Sequence, residues 1–529
     1  MSQTIISVTV FHSAIIILVK QFTVKSLEGK LILSATILAS GMAFLDGSVV
    51  GIAIPTIQAK LNATITSIQW IVNGYTLMLC SLILISGALG DKFGRKKIFM
   101  YGIGLFILSS FLCSISQSIN QLVVFRLIQG IGGAMMVPGS LSIIDISFEE
   151  KYRGYAIGIW SGFAGGVAAL APLVGGWLVQ TFGWPSIFYI NIPLGIIALI
   201  LALKYVPESK DNEATKIDIA GSLLIFLSLF GLAWGLISIP DLGWNSPLII
   251  GSLIGGVIAF ILFIIVQKKS KHPLVPFSIF KSPLVVGANL ATLCLYFALS
   301  GVIFFLVLNL QQVQHYSPII AGLSMLPSIL LITFLSGMGG KIADKIGPRL
   351  PMIIGPLIVS VGMALLVIPG SHANYFTQIF PGLVLFGLGM SLVIAPLTKS
   401  ALEVESKYSG AASGINNAIA RIAGLLAVAL LGLIVVSLFE GQLNQKIMAS
   451  SMNPSAKHEI MIQQDKLGGI QIPSSFTLQT KQLAQNAIDD SFIYGFRWAM
   501  GINAFLALFS AIISFLIIRN KKLRPSNPT

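Results

Sequence analysis

Three charged side chains stand inside runs that are otherwise apolar. Asp46 lies within MAFLDGSVVGIAIP, Arg126 within LVVFRLIQGIGGAMM and Arg421 within SGAASGINNAIARIAG. A lone charge in hydrocarbon costs several kcal/mol, so Asp46 must be protonated, paired or facing a wet cavity. Desolvation and a nearby cation pull a carboxyl's proton affinity in opposite directions, which can poise it to exchange protons at working pH. The competing reading is an acid that only braces helices by hydrogen bonding. Asp46 is nine residues before Pro55, and Arg126 is six after Asn120. At about 1.5 Å per residue both fall roughly 9 to 14 Å below one surface, a depth that permits a pair. Gln129 shares the face of Arg126; the alternative is that Arg126 snorkels to the headgroups. Arg421 stands about mid-membrane with Asn417 one turn earlier and Asn416 beside it, and it either binds a substrate or braces helices. Trp70, Asn73, Tyr75, Gln129, Asn289 and Tyr296 join Asn416, Asn417 and Arg421 as candidate substrate contacts. Most are apolar, aromatic or amide groups, which suits an amphipathic or lipophilic small molecule.

The elements that must position these residues are helices in a bilayer. Over 529 residues the hydrophobic fraction is 55%, the charged fraction 10% and the mean hydropathy +0.89, a balance that no solvated soluble domain tolerates. A spanning helix needs about 20 mostly apolar residues. Fourteen such runs are predicted, beginning near Leu31, Ile68, Ile98, Leu122, Tyr155, Ile187, Ile217, Leu248, Leu284, Pro318, Met352, Gln378, Gly410 and Phe492. The expected class is an all-α polytopic membrane protein. A net charge of +14 could signal a nucleic-acid partner, but 25 of the 33 Lys and Arg fall on one side of this topology. The short loops of the other side carry Lys60 alone. That asymmetry is the positive-inside rule, so no nucleic acid is expected and both termini are expected in the cytoplasm.

A short hydrophilic loop occurs twice. Gly87 to Lys97 reads GALGDKFGRKK and Gly340 to Arg349 reads GKIADKIGPR, with Asp91 and Asp344 separated by 253 residues (344 − 91). Each is a tight, charged turn that belongs at a membrane surface, and the recurrence marks a duplicated half. The first copy joins runs two and three, the second runs ten and eleven. In a carrier of two six-helix halves, runs seven and eight are then an insertion, bracketed by the charged linkers at Pro207 to Lys216 and Lys268 to Ser282. The implied division is a leader at 1–29, a first bundle at 30–206, inserted helices at 207–283, a second bundle at 284–519 and a tail at 520–529. Within the leader, Ile5 to Val19 reads as interfacial, with an extra span as the alternative. The polar segment Glu440 to Asp490 reads as a partly ordered loop with one amphipathic hairpin or helix.

Catalytic patterns are lacking. Cys80, Cys113 and Cys294 have no pairing or metal-ligand spacing, the five histidines are scattered without HExxH, and no GxxxxGK[ST] loop is present to take ATP. No metal or cofactor is therefore expected.

Together these stretches resemble the major facilitator superfamily, and specifically its fourteen-span drug:proton antiporter branch. GALGDKFGRKK is similar to the superfamily loop signature, LVVFRLIQGIGGA to the fourth-span signature, and WSGFAGGVAALAPLVGGWL to the antiporter motif through Gly166, Pro172, Gly175 and Gly176. LDGSVVGIAIP, FGWPSIFYINIPLG and SGAASGINNAIARIAG resemble stretches of the fourteen-span branch. Ala171 and Gly51 depart from it, where the family carries Gly and Asn. The resemblance implies that Asp46 is the proton or cation-substrate acid and Arg126 the coupling arginine. It implies a cytoplasmic gate of Gly87, Asp91, Gly94, Arg95 and Lys96, with Asp344, Gly347 and Arg349 in the second copy. The expected activity is proton-coupled efflux from the bacterial inner membrane, driven by the proton gradient, by a monomer alone or with periplasmic adaptor proteins. The alternatives are a dedicated exporter of one endogenous metabolite, such as a siderophore or lipid-like product, and, from another class, a membrane enzyme or a non-transporting sensor.

Overall fold

The computed structural model describes residues 21–210, 218–270, 273–405 and 408–518. The apolar leader stretch Ile5 to Val19, most of the first charged linker and the tail at 520–529 lie outside the described residues. The rest is helical: α1 (Leu27–Leu61), α2 (Ile65–Phe93), α3 (Arg95–Ser114), α4 (Ile119–Ser147), α5 (Glu150–Phe182), α6 (Ser186–Tyr189), α7 (Asn191–Tyr205), α8 (Ile219–Leu242), α9 (Pro247–Lys269), α10 (Pro283–Leu308), α11 (Pro318–Ile346), α12 (Arg349–Leu365), α13 (Phe380–Ala401), α14 (Ser409–Ala449), α15 (Pro454–Met461) and α16 (Leu478–Ile517). Among the described residues eleven helices are long and apolar enough to cross a membrane, and twelve when the bent α2 is counted as one. Helix starts follow local chemistry. Ser26, Thr64, Ser118, Asp218, Ser317 and Thr477 each accept a hydrogen bond from a first-turn amide, satisfying a donor that lipid could not.

Packing falls into two groups. The helices α2, α3 and α4 pack on one another, and α1 lies against α4, α5 and α7; in the second group α13 lies against α11 and α12, and α16 against α10, α12 and α14. The hairpin of α8 and α9 attaches through α8 to α2 and α14. Both repeated loops lie on one face, the loop face. So do the two ends of the described chain: the Phe22 amide donates to the Ser147 carbonyl at the end of α4, and Arg349 reaches the Phe515 carbonyl near the end of α16.

The groups close on each other at the opposite, far face. The α5 and α11 backbones meet there, so that a Cβ built on Gly176 would lie 2.5 Å from the Pro318 carbonyl oxygen, and one on Gly322 would strike the Pro172 carbonyl. Small residues permit that approach. Gln69 donates to the Val428 carbonyl at 2.6 Å, Gln311 to the Ile52 carbonyl at 2.9 Å, and Gln312 to Gln58 at 2.8 Å. Toward the loop face the same helix surfaces are bare. Gly158 and Gly162 lie fourteen residues before Pro172 and Gly176, about four turns along the same side of α5, and nothing stands within 4 Å of either. Gly337, fifteen residues beyond Gly322 on α11, is equally open. The groups therefore enclose a cleft that is shut at the far face and widens to the loop face.

The segment Glu440 to Asp490, expected to be a partly ordered loop with one amphipathic hairpin or helix, is more helical than that. The helix α14 continues to Ala449 and α16 already begins at Leu478, so the two extend beyond their apolar cores as a pair tied by Lys446 and Asp490 at 2.8 Å. Polar residues here mark solvent around long helices instead of broken helix. Between them α15 and a short turn at Gln464–Gly469 form a cap on the far face. There Gln58 donates to the Lys466 carbonyl at 3.0 Å, and the Lys466 ammonium donates to Asn62 at 2.7 Å.

The two repeated loops share a turn but not their wiring. Gly94 (φ +116°) and Gly347 (φ +86°) both occupy backbone conformations that L side chains rarely adopt. In the first copy Arg95 pairs with Asp91 at 2.8 Å, its amide donates to the Ser209 carbonyl, and the Lys96 ammonium donates to the Leu203 carbonyl, docking the loop on the end of α7. In the second, Asp344 is held by Lys399 of α13 at 2.5 Å, while Arg349 lies over the Phe515 ring. Gly94→Ala is expected to cost about 1–3 kcal/mol from backbone strain, and its Cβ would in addition meet the Glu208 carboxylate at 2.8 Å. Thermal unfolding in detergent measures it; a neutral result would mean that the loop relaxes without strain.

Candidate functional site

Asp46 and Arg126 form a direct ion pair between α1 and α4, and each is only 1% exposed. Their similar depth brings them together because α1 packs on α4. Every partner of the Asp46 carboxylate is a donor. Arg126 binds one oxygen, while Gln129 (3.0 Å) and Asn191 (3.3 Å) donate to the other. Arg126 is itself positioned by three further contacts: its Nε donates to the Ile71 carbonyl of α2 at 3.1 Å, its Nη1 to Gln129 at 2.6 Å, and its guanidinium lies 4.4 Å from the Tyr75 ring centroid. Ser110 of α3 accepts from Gln129 at 2.8 Å and from Asn191 at 3.4 Å. Five helices thus meet on one carboxylate. A buried ion pair is tolerated only when its remaining donors and acceptors are met, which Gln129, Asn191 and Ser110 accomplish.

Asn191 and Ser110 are the members that sequence reasoning missed. Asn191 stands in FGWPSIFYINIPLG, where an amide between apolar residues was the available signal. Ser110 carried none, since serine satisfies itself against its own helix in many spans. Snorkelling of Arg126 is excluded in this conformation by its burial.

The other candidates separate. Tyr75 donates to the Ala43 carbonyl beneath Arg126. Trp70 does not face a cavity as expected: it packs against α8, with its ring centroid 6.1 Å from that of Phe230. The α8–α9 hairpin, whose contact surface the sequence could not reveal, claims it. Asn416 is buried and donates to Asn289 (3.2 Å) and Thr292 (3.0 Å), so this pair clasps α14 to α10, and Asn289 also lines a small cavity with Leu293, Ile419 and Ile422. Asn417 is exposed and bonds its own helix at the Ser413 carbonyl. Tyr296 is half-buried within electrostatic reach of Arg421, which also has Tyr75 and Cys80 nearby. Of the α5 motif, Pro172 and Gly176 form the contact with α11 and Gly175 abuts Val49 of α1, whereas Gly166 and, in the first loop, Gly87 touch nothing within 4 Å.

A paired acid buried among the helices of a two-group membrane bundle narrows the families to compare. The family model of the Major Facilitator Superfamily matches residues 36–428. The chain belongs to that superfamily. This superfamily member is 31% identical over 479 residues to the tetracenomycin C resistance and export protein of Streptomyces glaucescens, covering 89% of this chain and 88% of the relative. It is 32% identical over 396 residues to the methylenomycin A resistance protein of Bacillus subtilis, covering 74% and 85%. Among solved structures it resembles a bacterial homologue of the human lysosomal transporter Spinster, in an inward-facing and unoccupied conformation. That likeness has a TM-score of 0.63 at 17% identity and covers 93% of this chain and 98% of that one, which speaks to the fold alone. The expectation of the superfamily fold holds.

Proposed function

We propose that this superfamily member is a drug-efflux transporter of the fourteen-span branch, which exports amphipathic or lipophilic compounds in exchange for protons by alternating access. The observation that carries the coupling is the sealed Asp46 carboxylate held by three donors, Arg126, Gln129 and Asn191. A carboxylate accepts from all of them. Once protonated, one of its oxygens turns donor, and the set that ties α1 to α4 and α7 loses its match. Asp46 is thus the proton site and Arg126 the coupling cation. Relatives named for drug resistance and export, aligned over most of the chain, support the cargo class.

The fourteen spans are the twelve apolar helices together with α5 (33 residues) and α12 (17 residues). They divide into a first bundle at 30–206, an inserted pair within 207–283 and a second bundle at 284–519. The loop face is cytoplasmic, a reading supported by the 25 of 33 basic residues on that side. The bacterial inner membrane is the site, and the conformation described is then inward-open. Asp91, Arg95 and Lys96, with Asp344 and Lys399, form the cytoplasmic gate. The energy source is the proton gradient, with no bound cofactor. One proton crossing 100 mV supplies about 2.3 kcal/mol, enough for roughly a fiftyfold gradient of a neutral solute.

Reconstitution into proteoliposomes with an imposed pH gradient tests this reading. Several unrelated amphipathic dyes and antibiotics are expected to accumulate, and a protonophore is expected to reduce that accumulation at least tenfold. Accumulation indifferent to the protonophore would sink the coupling, and accumulation of a single compound would favour the dedicated exporter.

A further inference from the structure

Arg421 is the mid-helix cation that the Asp46 network does not neutralise. It makes no hydrogen bond or ion pair with any described residue, and it retains accessible surface although it stands deep in the bundle. Its position along α14 explains both facts. The far-face seal between α2 and α14 runs from Gln69 and Val428 through a packed cluster of Leu77, Cys80, Leu425 and Ala429. Arg421 lies one turn beyond Leu425 toward the loop face, where the seal ends and the cleft begins. Asn73, between Gln69 and Leu77 on α2, is fully buried within that seal and does not reach the cleft.

Charge of the opposite sign does not reach this place. Asp46, in the middle of α1, is consumed by Arg126, Gln129 and Asn191, while Glu440, Asp489 and Asp490 lie on the parts of α14 and α16 that run on to the far face. The remaining acids of the described residues stand at helix ends or on the two faces. An exposed carboxylate in the cleft would welcome a cation; a bare guanidinium repels one and offers five donors to an anion. Tyr75 and Tyr296 lie within electrostatic reach of it.

We infer that the head of the cleft is an anion subsite, in which Arg421 takes the carboxylate or sulfonate of an aromatic or amphipathic acid. This rests on the export reading above and specifies the class of its cargo. The exported compounds favoured by this chain are acids, and cations are disfavoured.

Three probes sharing one fluorophore test it: dansylglycine (a carboxylate), dansylamide (neutral) and a dansyl-aminoethyl-trimethylammonium (a cation). With wild type, transport into proteoliposomes is expected to favour dansylglycine over the ammonium probe at least tenfold. Arg421→Ala is expected to reduce dansylglycine transport at least tenfold and that of the neutral probe less than twofold, with Arg421→Lys retaining part of the anion preference. Equal handling of all three probes by wild type, or an equal loss of all three in Arg421→Ala, would overturn the subsite. Fluorescence titration of purified protein separates this from the export reading. Tight binding of dansylglycine that Arg421→Ala abolishes, without transport of any probe, would sink export and keep the subsite; equal affinity for the anion and the cation would sink the subsite whatever is transported.

Discussion

Arg126→Gln is expected to be among the most damaging single substitutions in the chain, and adding Asp46→Asn is expected to restore much of what it loses. Removing one partner of a buried pair leaves the other charge uncompensated, at about 3–5 kcal/mol. Both groups are 1% exposed, so water cannot make good the loss without opening the bundle. The double variant Asp46→Asn with Arg126→Gln exchanges two charges for two amides among the same neighbours, Gln129, Asn191 and Ser110, which can donate or accept as required. A double-mutant cycle on thermal stability in detergent is therefore expected to show a strongly favourable coupling energy, beyond about 1.5 kcal/mol. Function is expected to part company with stability. The double variant and Asp46→Asn alone should both lose pH-driven accumulation at least tenfold while still equilibrating substrate downhill. If Asp46→Asn kept full pH-driven transport, the carboxylate would be a brace and the proton would bind elsewhere. If the two substitutions were simply additive, the ion pair would not be the unit that stability depends on.

The pair itself was legible in the sequence because hydrophobicity makes a charge conspicuous. Asp46 and Arg126 interrupt apolar runs, and helical rise places them at a similar depth. Their settlement was not legible. Asn191, Ser110 and the Ile71 carbonyl are uncharged groups of the kind that every span carries, and only the meeting of α1, α2, α3, α4 and α7 turns them into a shell. Trp70 shows the complementary failure: its amphipathic ring suited a drug cavity, but α8 covers it. The same limit applies to Asn289 and Asn416, which bind each other across α10 and α14. Amide and aromatic side chains serve packing and binding equally well, so type and depth alone cannot assign them. The segment Glu440 to Asp490 is more helical than expected for another reason. Its polarity signals solvent, and solvent-facing helices such as the ends of α14 and α16 are polar without being irregular. The repeated loops were read correctly as turns from their glycines, but their partners, Leu203, Ser209 and Lys399, come from elsewhere in the chain.

Gly176→Leu is expected to pry open the far face and move the whole population of conformations. The atoms that its side chain would strike are backbone, the Pro318 carbonyl oxygen at 2.5 Å and Ile319 Cα at 2.8 Å, so no rotamer change nearby relieves the clash. Overpacking of this kind costs about 1–3 kcal/mol. In a protein whose two conformations differ by a few kcal/mol, that is enough to reverse which one dominates. The far-face bonds made by Gln58, Gln69, Gln311 and Gln312 would separate together, because they bridge the same two groups. A cysteine at Gly162 reports the change, since that position is bare in the described conformation and the three native cysteines are buried. Labelling of Gly162→Cys from the loop face by a membrane-impermeant maleimide is expected to fall at least fivefold when Gly176→Leu is added, a shift of about 1 kcal/mol. Labelling of a cysteine at Gln58 from the far face should rise in parallel, and Gly501→Leu, at an open site on α16, should change neither. A fall at Gly162 without the rise at Gln58 would mean that the wedge only covers that stretch of α5 by a local shift instead of rocking the groups. Opposite movements at the two faces would tie the glycine contact of α5 and α11 directly to alternating access.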